Sequence, residues 1–291
     1  MQSRRNFIQN SCLLSAGILL GNDPFFNKNK KNIGLQMYTL RKIVNDNNIE
    51  EVLEKVAAIG YKELEVFGYD LKNKFWGKEP AAFKKMLKKS GLKAIAAHAG
   101  FENFLTGRDE NEWRVICEAA SIIGNKYLVV AWLPEKYRTT LNDYKLLAQK
   151  LNKAGRIASQ YGLQLAYHNH DFEFDIIEDD KTGYAILLND TDSNFVKMEL
   201  DLYWTMKAGV DPLQLFKDNA GRFPLWHVKD MDKADRSFTE VGKGSIDFAA
   251  IFKHSQAAGL KHFFIEQDEV KKEVYESIRQ SFNYTKKHLL F

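Results

Sequence analysis

Cysteine is nearly absent from this chain. The 291 residues hold two, Cys12 and Cys117, and with one of them in an N-terminal extension the body cannot close an internal disulfide. Cys117 stands inside an apolar helical pattern and is read as core packing rather than as a nucleophile. An excess of either charge is missing too. The formal net charge is +4, but residues 1–31 carry five of the 42 Lys and Arg (Arg4, Arg5, Lys28, Lys30 and Lys31) and one of the 38 acids (Asp23), which leaves 37 of each in the remainder. A neutral body lacks the electrostatic footprint of a nucleic-acid binder. A Gly-rich phosphate loop is also missing: after Tyr38 the chain reads Thr-Leu-Arg-Lys, which argues against an open doubly wound sheet built around a dinucleotide.

The extension has its own pattern. Ser3-Arg4-Arg5-Asn6-Phe7-Ile8 precedes a short apolar run over 12–20. Basic residues followed by ~7–15 apolar ones mark an export signal, and such a run is too short to span a bilayer. The paired arginines with a Phe two positions on resemble the twin-arginine signal, so export to the periplasm is expected, with no stable membrane insertion beyond a signal anchor. No clean Ala-x-Ala site follows, and Gln9-Asn10-Ser11 before Cys12 is not a lipidation context. Residues 21–31, rich in Asn and Lys, read as a linker. The expected organisation is therefore a signal and linker over 1–31 and one catalytic domain over 32–291.

What is abundant in the body is a rhythm. Gly60, Gly91, Gly124, Gly162, Gly221 and Gly259 each follow an amphipathic stretch and precede an apolar one. Glycine just past a helix takes the left-handed cap conformation that side chains resist, so six such stops describe one repeated module. The apolar stretches, at 63–67, 94–98, 127–132, 163–168, 225–228 and 263–266, fit strands of a parallel sheet covered on its outer face. Segments 33–38 and 196–201 bring the strands to eight. Helices are predicted over 49–59, from Pro80, and over 112–123, 140–160, 182–189, 212–219, 248–257 and 271–288. Eight β-α units with right-handed crossovers close into an α/β fold of the (β/α)8 TIM barrel class, and 45% hydrophobic residues fill its core.

Barrel active sites sit at the C-terminal ends of the strands, and this chain ends four successive strands in chemistry. Strand five ends at His168, strand six at Asp201, strand seven at His227, and strand eight at Glu266. Their ends share one arc of a closed barrel, so the four side chains are expected to converge on one divalent ion. Nitrogen and carboxylate ligands suit Mn2+, Co2+, Zn2+ or Mg2+ without choosing among them. The plain reading of Asp201 is a cap for the segment 202–207. Around this set, His98, Glu65, Gln36, Trp204 and His170 are expected to contact substrate, with His170 alternatively orienting a ligand. Trp132, Phe67 and Tyr38 offer flat faces for a sugar ring. His254, His262 and His288 are read as structural.

The chain from Lys31 to Phe291 resembles the xylose isomerase-like superfamily, and within it the sugar isomerase/epimerase group that includes ketose 3-epimerases and inosose dehydratases. The resemblance is carried by Ile33-Gly-Leu-Gln-Met-Tyr-Thr-Leu-Arg41, Met198-Glu-Leu-Asp201, Trp226-His-Val-Lys-Asp230, Gly242-Lys-Gly244 with Ile246-Asp247, and Phe264-Ile-Glu266. It implies metal ligands Glu, Asp, His and Glu on strands five to eight. Asp201, His227 and Glu266 match; His168 stands in place of the first Glu. Epimerases of the group use two opposed glutamates as acid and base, so the resemblance makes Glu266 the base, with Glu173 as the candidate second carboxylate and Lys229 placed to polarise a carbonyl.

The chemistry expected is removal of a proton beside the carbonyl of a keto-sugar to give a metal-stabilised enediolate. Reprotonation then yields an isomer or epimer, whereas loss of a β-leaving group, as from an inosose or a 3-keto-glycoside, makes the protein a lyase or dehydratase. The partner is a small-molecule carbohydrate. A homo-oligomer is compatible with a barrel's outer helices, but no apolar stripe singles out an interface. Two other readings are weaker. Apurinic endonucleases of the superfamily need a His three residues past Asp201, where Trp204 stands, and an exported carbohydrate-binding protein would hold its metal with no open position.

Overall fold

The computed structural model describes residues 32–290. The export signal, Cys12 and the boundary expected near residue 31 lie outside the described residues. Eight strands close a barrel: β1 (Gly34–Gln36), β2 (Glu63–Tyr69), β3 (Lys93–Ala99), β4 (Tyr127–Val130), β5 (Gln164–His168), β6 (Val196–Asp201), β7 (Leu225–Val228) and β8 (His262–Ile265). Every neighbouring pair is parallel, from β1 against β2 round to β8 against β1. The fold expectation is met.

The outer layer comprises α1 (Ile49–Ile59), α2 (Pro80–Ser90), α3 (Glu110–Ile123), α4 (Leu141–Gln160), α5 (Gly183–Asp190), α6 (Leu202–Lys207), α7 (Pro212–Asp218), α8 (Phe248–Phe252) and α9 (Val274–His288), with single-turn helices at Glu102–Leu105 and Ser255–Ala258. In α1 the apolar face Ile49, Val52, Leu53 and Val56 is fully buried against the sheet. Gly91 and Gly124 end α2 and α3 in the left-handed conformation, at φ 69° and 96°, where a β-carbon meets steric resistance. Among the described residues no helix is long and apolar enough to cross a membrane.

Strand alternation divides the core in two. Residues such as Leu64, Val66, Met198 and Leu200 face the helices and join the large apolar layer. The opposite faces carry Ala96 and His98, Ala166 and His168, Leu225 and His227, and Phe264 and Glu266, two residues apart and so on one side of each strand. The first members, with Ile95 and Val129, form a separate apolar cluster. The second members stand one layer nearer the C-terminal rim, so the barrel interior passes from a hydrophobic plug to a polar layer. Cys117 is buried in the outer core with its thiol pushed up to about 12 by burial, which fits its reading as packing.

Candidate metal centre and pocket

The four expected ligands meet. His168, Asp201, His227 and Glu266 each present one ligand atom, and all four atoms lie within 4.8 Å of one another. Register places them: Asp201 pairs with His227 across β6 and β7, and Glu266 follows β8 directly, its backbone N–H donating to Val228 O. His168 Nε2 is 3.3 Å from Asp201 Oδ2, and His227 Nδ1 is 2.8 Å from Glu266 Oε2 and 3.7 Å from Asp201 Oδ2. Asp201 fulfils both of its readings, since Oδ1 caps α6 by accepting Trp204 N–H at 2.9 Å while Oδ2 faces the ligands.

These residues fit a divalent cation. His227 Nδ1 is buried and makes no hydrogen bond, although Glu266 Oε2 is 2.8 Å away; burial opposes a charge on the ring, but Glu199, Glu266 and Glu65 outweigh it and favour a positive charge here, which a divalent ion can supply instead. Two imidazoles and two carboxylates are an ordinary donor set for Zn2+ and its neighbours. Burial favours the neutral form of His168, bringing it down to about 4, which is the ligating form of the ring. Burial opposes ionisation of Asp201 and Glu266 as well, but the Lys229 ammonium and the adjacent imidazoles outweigh it and hold both well below the usual range.

Lys229 is set among carboxylates. Its ammonium lies 3.0 Å from Asp201 Oδ2, 2.7 Å from Glu266 Oε2 and 2.9 Å from Asp268 Oδ2. Asp268 Oδ2 accepts a hydrogen bond from it, and the other two contacts are ion pairs. Lys229 positions the acids around it, and it also lines the pocket above them.

Above the ligands opens a pocket of about 460 Å3, lined among others by Tyr38, Arg41, His98, Trp132, His168, His170, Trp204, Lys229, Glu266 and Asp268. His98, His170 and Trp204, expected from the sequence to contact substrate, all line this pocket. The His170 ring stacks on Phe172 and meets Trp132 edge-on, and burial brings it down to about 2, a neutral wall rather than an acid. Trp132 is 58% exposed, an aromatic face left to the rim. Tyr38 is at the pocket, but Phe67 packs behind it, edge to face.

Three expectations are corrected. Gln36 and Glu65 are fully buried and do not line the pocket. Gln36 Nε2 donates to Glu65 Oε2 at 2.6 Å, and that oxygen also lies 2.5 Å from His227 Nε2. Both residues act beneath the ligands instead of on a substrate. Glu173 belongs to neither the pocket nor the ligand group. Its carboxylate turns to the outer side of β5, where Tyr167 O–H donates to Oε1 at 2.8 Å and His170 N–H to Oε2 at 2.7 Å, and burial pushes it up to about 8.

Two residues were not singled out from the sequence. Glu199 precedes Asp201 by two on β6 and faces the same interior; the alternation in Met198-Glu-Leu-Asp201 was the available signal. Asp268, two past Glu266, completes the shell of Lys229, and nothing in its local sequence distinguishes it.

Residues 53–288 match the family model described as xylose isomerase-like TIM barrel. An inosose dehydratase of Clostridium botulinum is 28% identical over 244 residues, covering 72% of this chain and 78% of the relative. A crystal structure of a sugar phosphate isomerase/epimerase from Parabacteroides distasonis superposes with a TM-score of 0.77 at 27% identity, covering 88% of this chain and 98% of the other. The IolI protein, solved with a binding zinc atom, shares the fold at a TM-score of 0.73 and 17% identity, over 89% and 99% of the two chains. Fold, polar barrel mouth and the match over 53–288 lead to one conclusion: the chain belongs to the xylose isomerase-like TIM barrel family.

Proposed function

We propose that this protein is a divalent-metal-dependent enzyme of sugar isomerase/epimerase type, which removes a proton beside the carbonyl of a keto-sugar. The observation that carries the reading is the meeting of His168, Asp201, His227 and Glu266 within 4.8 Å below a pocket walled by aromatic rings. A divalent ion bound there supplies electrostatic stabilisation to an oxygen that gains negative charge. Glu266 is the base. Lys229 holds its Oε2, which keeps the carboxylate ionised and leaves Oε1 to accept the proton. Trp132, Trp204 and the His170–Phe172 stack provide flat faces for the sugar ring.

One observation favours elimination as the second reading. Epimerisation needs an acid opposite the base, and on that side β5 offers His168 and the pocket-lining Asp171, which pairs with Lys207 at 3.3 Å. Elimination of a β-leaving group needs one base, and the inosose dehydratase relatives are named for such a reaction. A twin-arginine-type signal in residues 1–31 would place either activity in the periplasm. Incubation of the metal-loaded protein in D2O with keto-inososes and 3-keto-glycosides tests the reading. Label beside the carbonyl marks proton removal followed by reprotonation, whereas an unsaturated or cleaved product marks elimination, which leaves no hydrogen on that carbon to carry label. Absence of both across the panel rejects it.

A further inference from the structure

A second convergent group lies beneath the first. Glu65 of β2, His98 of β3, Glu199 of β6 and His227 of β7 also present one ligand atom each within 4.8 Å of the others. His98 Nε2 is 3.0 Å from Glu65 Oε2 and 3.1 Å from Glu199 Oε2. His227 Nε2 is 2.5 Å and 3.3 Å from the same two oxygens. Both rings thus aim at one pair of oxygens, while Glu65 Oε1 and Glu199 Oε1 are buried without any hydrogen bond.

That pattern is unfavourable for a hydrogen-bond network. Three donors, Gln36 Nε2 and the two rings, crowd onto two oxygens where four are available, although an unpaired buried oxygen costs about 1–3 kcal/mol. Convergence of all four atoms on one point, with the outer oxygens idle, is the geometry of a cage around a cation. The size agrees. Corners of a regular tetrahedron about 3.3 Å apart lie about 2.0 Å from its centre, the usual Zn–N and Zn–O distance, and the four contacts of 2.5–3.3 Å reach it with an expansion of a few tenths of an ångström. Glu65, Glu199, Asp201 and Glu266 are all buried, and Lys229 meets only the last two, so Glu65 and Glu199 have the two imidazoles alone as neighbours that can balance a buried charge.

The two groups differ in access. His168 and Glu266 of the upper group line the pocket, which leaves room for further ligands there. In the lower group only His98 reaches the pocket, with its side chain 15% exposed and both carboxylates at 0%. Four protein ligands that fill a tetrahedron make a structural site.

We propose that Glu65, His98, Glu199 and His227 hold a second divalent cation in a closed, zinc-type site, joined to the upper one through the His227 ring. Nε2 serves the lower ion and Nδ1 the upper, so on double loading the ring releases its remaining proton to solvent and binds as imidazolate. This assignment stands apart from the reaction proposed above, since one ion in the upper group suffices for that chemistry.

The test is metal stoichiometry. The full chain is stripped with chelator, dialysed against Zn2+ and measured by elemental analysis and native mass spectrometry. Two equivalents per chain are expected for the wild type, and one each for Glu199→Gln, His98→Asn and Glu266→Gln. With Co2+, the strong visible band of tetrahedral coordination is expected to persist in Glu266→Gln and to vanish in Glu199→Gln and His98→Asn. His98, at the cage's exposed edge, decides the matter if Glu199→Gln does not fold. Saturation of the wild type at one equivalent overturns the proposal, as does retention of two by the lower-group variants. Activity is not needed for either result.

Discussion

Lys229 and Glu173 are both buried ionisable groups, and they fail differently when altered. Lys229 neutralises Asp201, Glu266 and Asp268. Removing one partner of a buried ionic group typically costs about 3–5 kcal/mol, because the remaining charges stay unpaired. Lys229→Met is therefore expected to lower the melting temperature sharply in chelator, and to recover part of the loss when a divalent ion is added, with a larger metal-induced rise than the wild type shows. An equal rise in both proteins would contradict the role given to Lys229.

Glu173 titrates where stability is easily measured. In the unfolded chain it ionises near 4.5; in the fold burial holds its proton to about 8. Below pH 4.5 both states are protonated and nothing is lost. Between 4.5 and 8 only the unfolded chain has released the proton, so stability falls as pH rises, by at most about 1.4 kcal/mol per unit, and the contribution is gone above the folded value. Glu173→Gln is expected to flatten the decline in melting temperature between pH 5 and 8, and an unchanged slope would assign it elsewhere. At this scale the sequence was readable where a residue ends an inward strand face, as with His168, Asp201, His227 and Glu266. It was misleading for Glu173, because nearness to His168 along the chain does not reveal that the segment past β5 turns the carboxylate outward onto Tyr167.

Elements carry their own tests. The capping box of α4 joins Thr140, whose hydroxyl accepts Asp143 N–H, to Asp143, whose carboxylate accepts Thr140 N–H. Thr140→Ala is expected to cost about 1 kcal/mol in denaturant unfolding, with metal content unchanged. The loop after β7 is less tolerant. Asp230 accepts backbone N–H groups from Met231, Gly242, Gly244 and Ile246, and a β-carbon on Gly244 would lie 2.2 Å from Asp230 Oδ1 and 2.3 Å from Met231 O. Gly244→Ala is expected to destabilise more than Thr140→Ala and to lower metal affinity through the neighbouring Lys229; a loss no larger than that of the cap variant would contradict it. Element identity was legible from the glycine rhythm and apolar runs, but several ends were not. The first strand was read as 33–38 and stops at Gln36, because its side-chain oxygen takes Tyr38 N–H and starts a 3-10 turn. The helix expected from 271 begins at Val274, where Glu273 caps it. Such ends depend on side-chain bonds that periodicity does not encode.

At the scale of the molecule, closure of the barrel gathers residues as distant in sequence as Glu65 and His227, 162 positions apart, into its polar interior. Eight strands and their order were legible because each unit repeats the same apolar and glycine signals. The depth of each polar side chain was not, since it depends on register between strands: Glu65 looked like a rim residue and is part of the layer below. The assembled layer makes a folding prediction. An ion that binds only the native state stabilises it by about 2.7 kcal/mol at a hundredfold excess over Kd, so chelator should lower the melting temperature and Mn2+, Co2+ or Zn2+ restore it, whereas indifference to chelator would mean that the ligands hold no ion.

The central claim is that a metal-supported carboxylate at the barrel mouth removes a proton beside a carbonyl. Deuterium incorporation from D2O into a panel of ketoses, keto-inososes and 3-keto-glycosides tests it most directly, using protein whose metal content has been measured. The account predicts label at the carbon beside the carbonyl with the wild type, and a fall of about 10²–10⁴-fold with Glu266→Gln. Absence of both label and an unsaturated or cleaved product from fully metal-loaded wild type on every member of the panel, or undiminished turnover by Glu266→Gln, would contradict it.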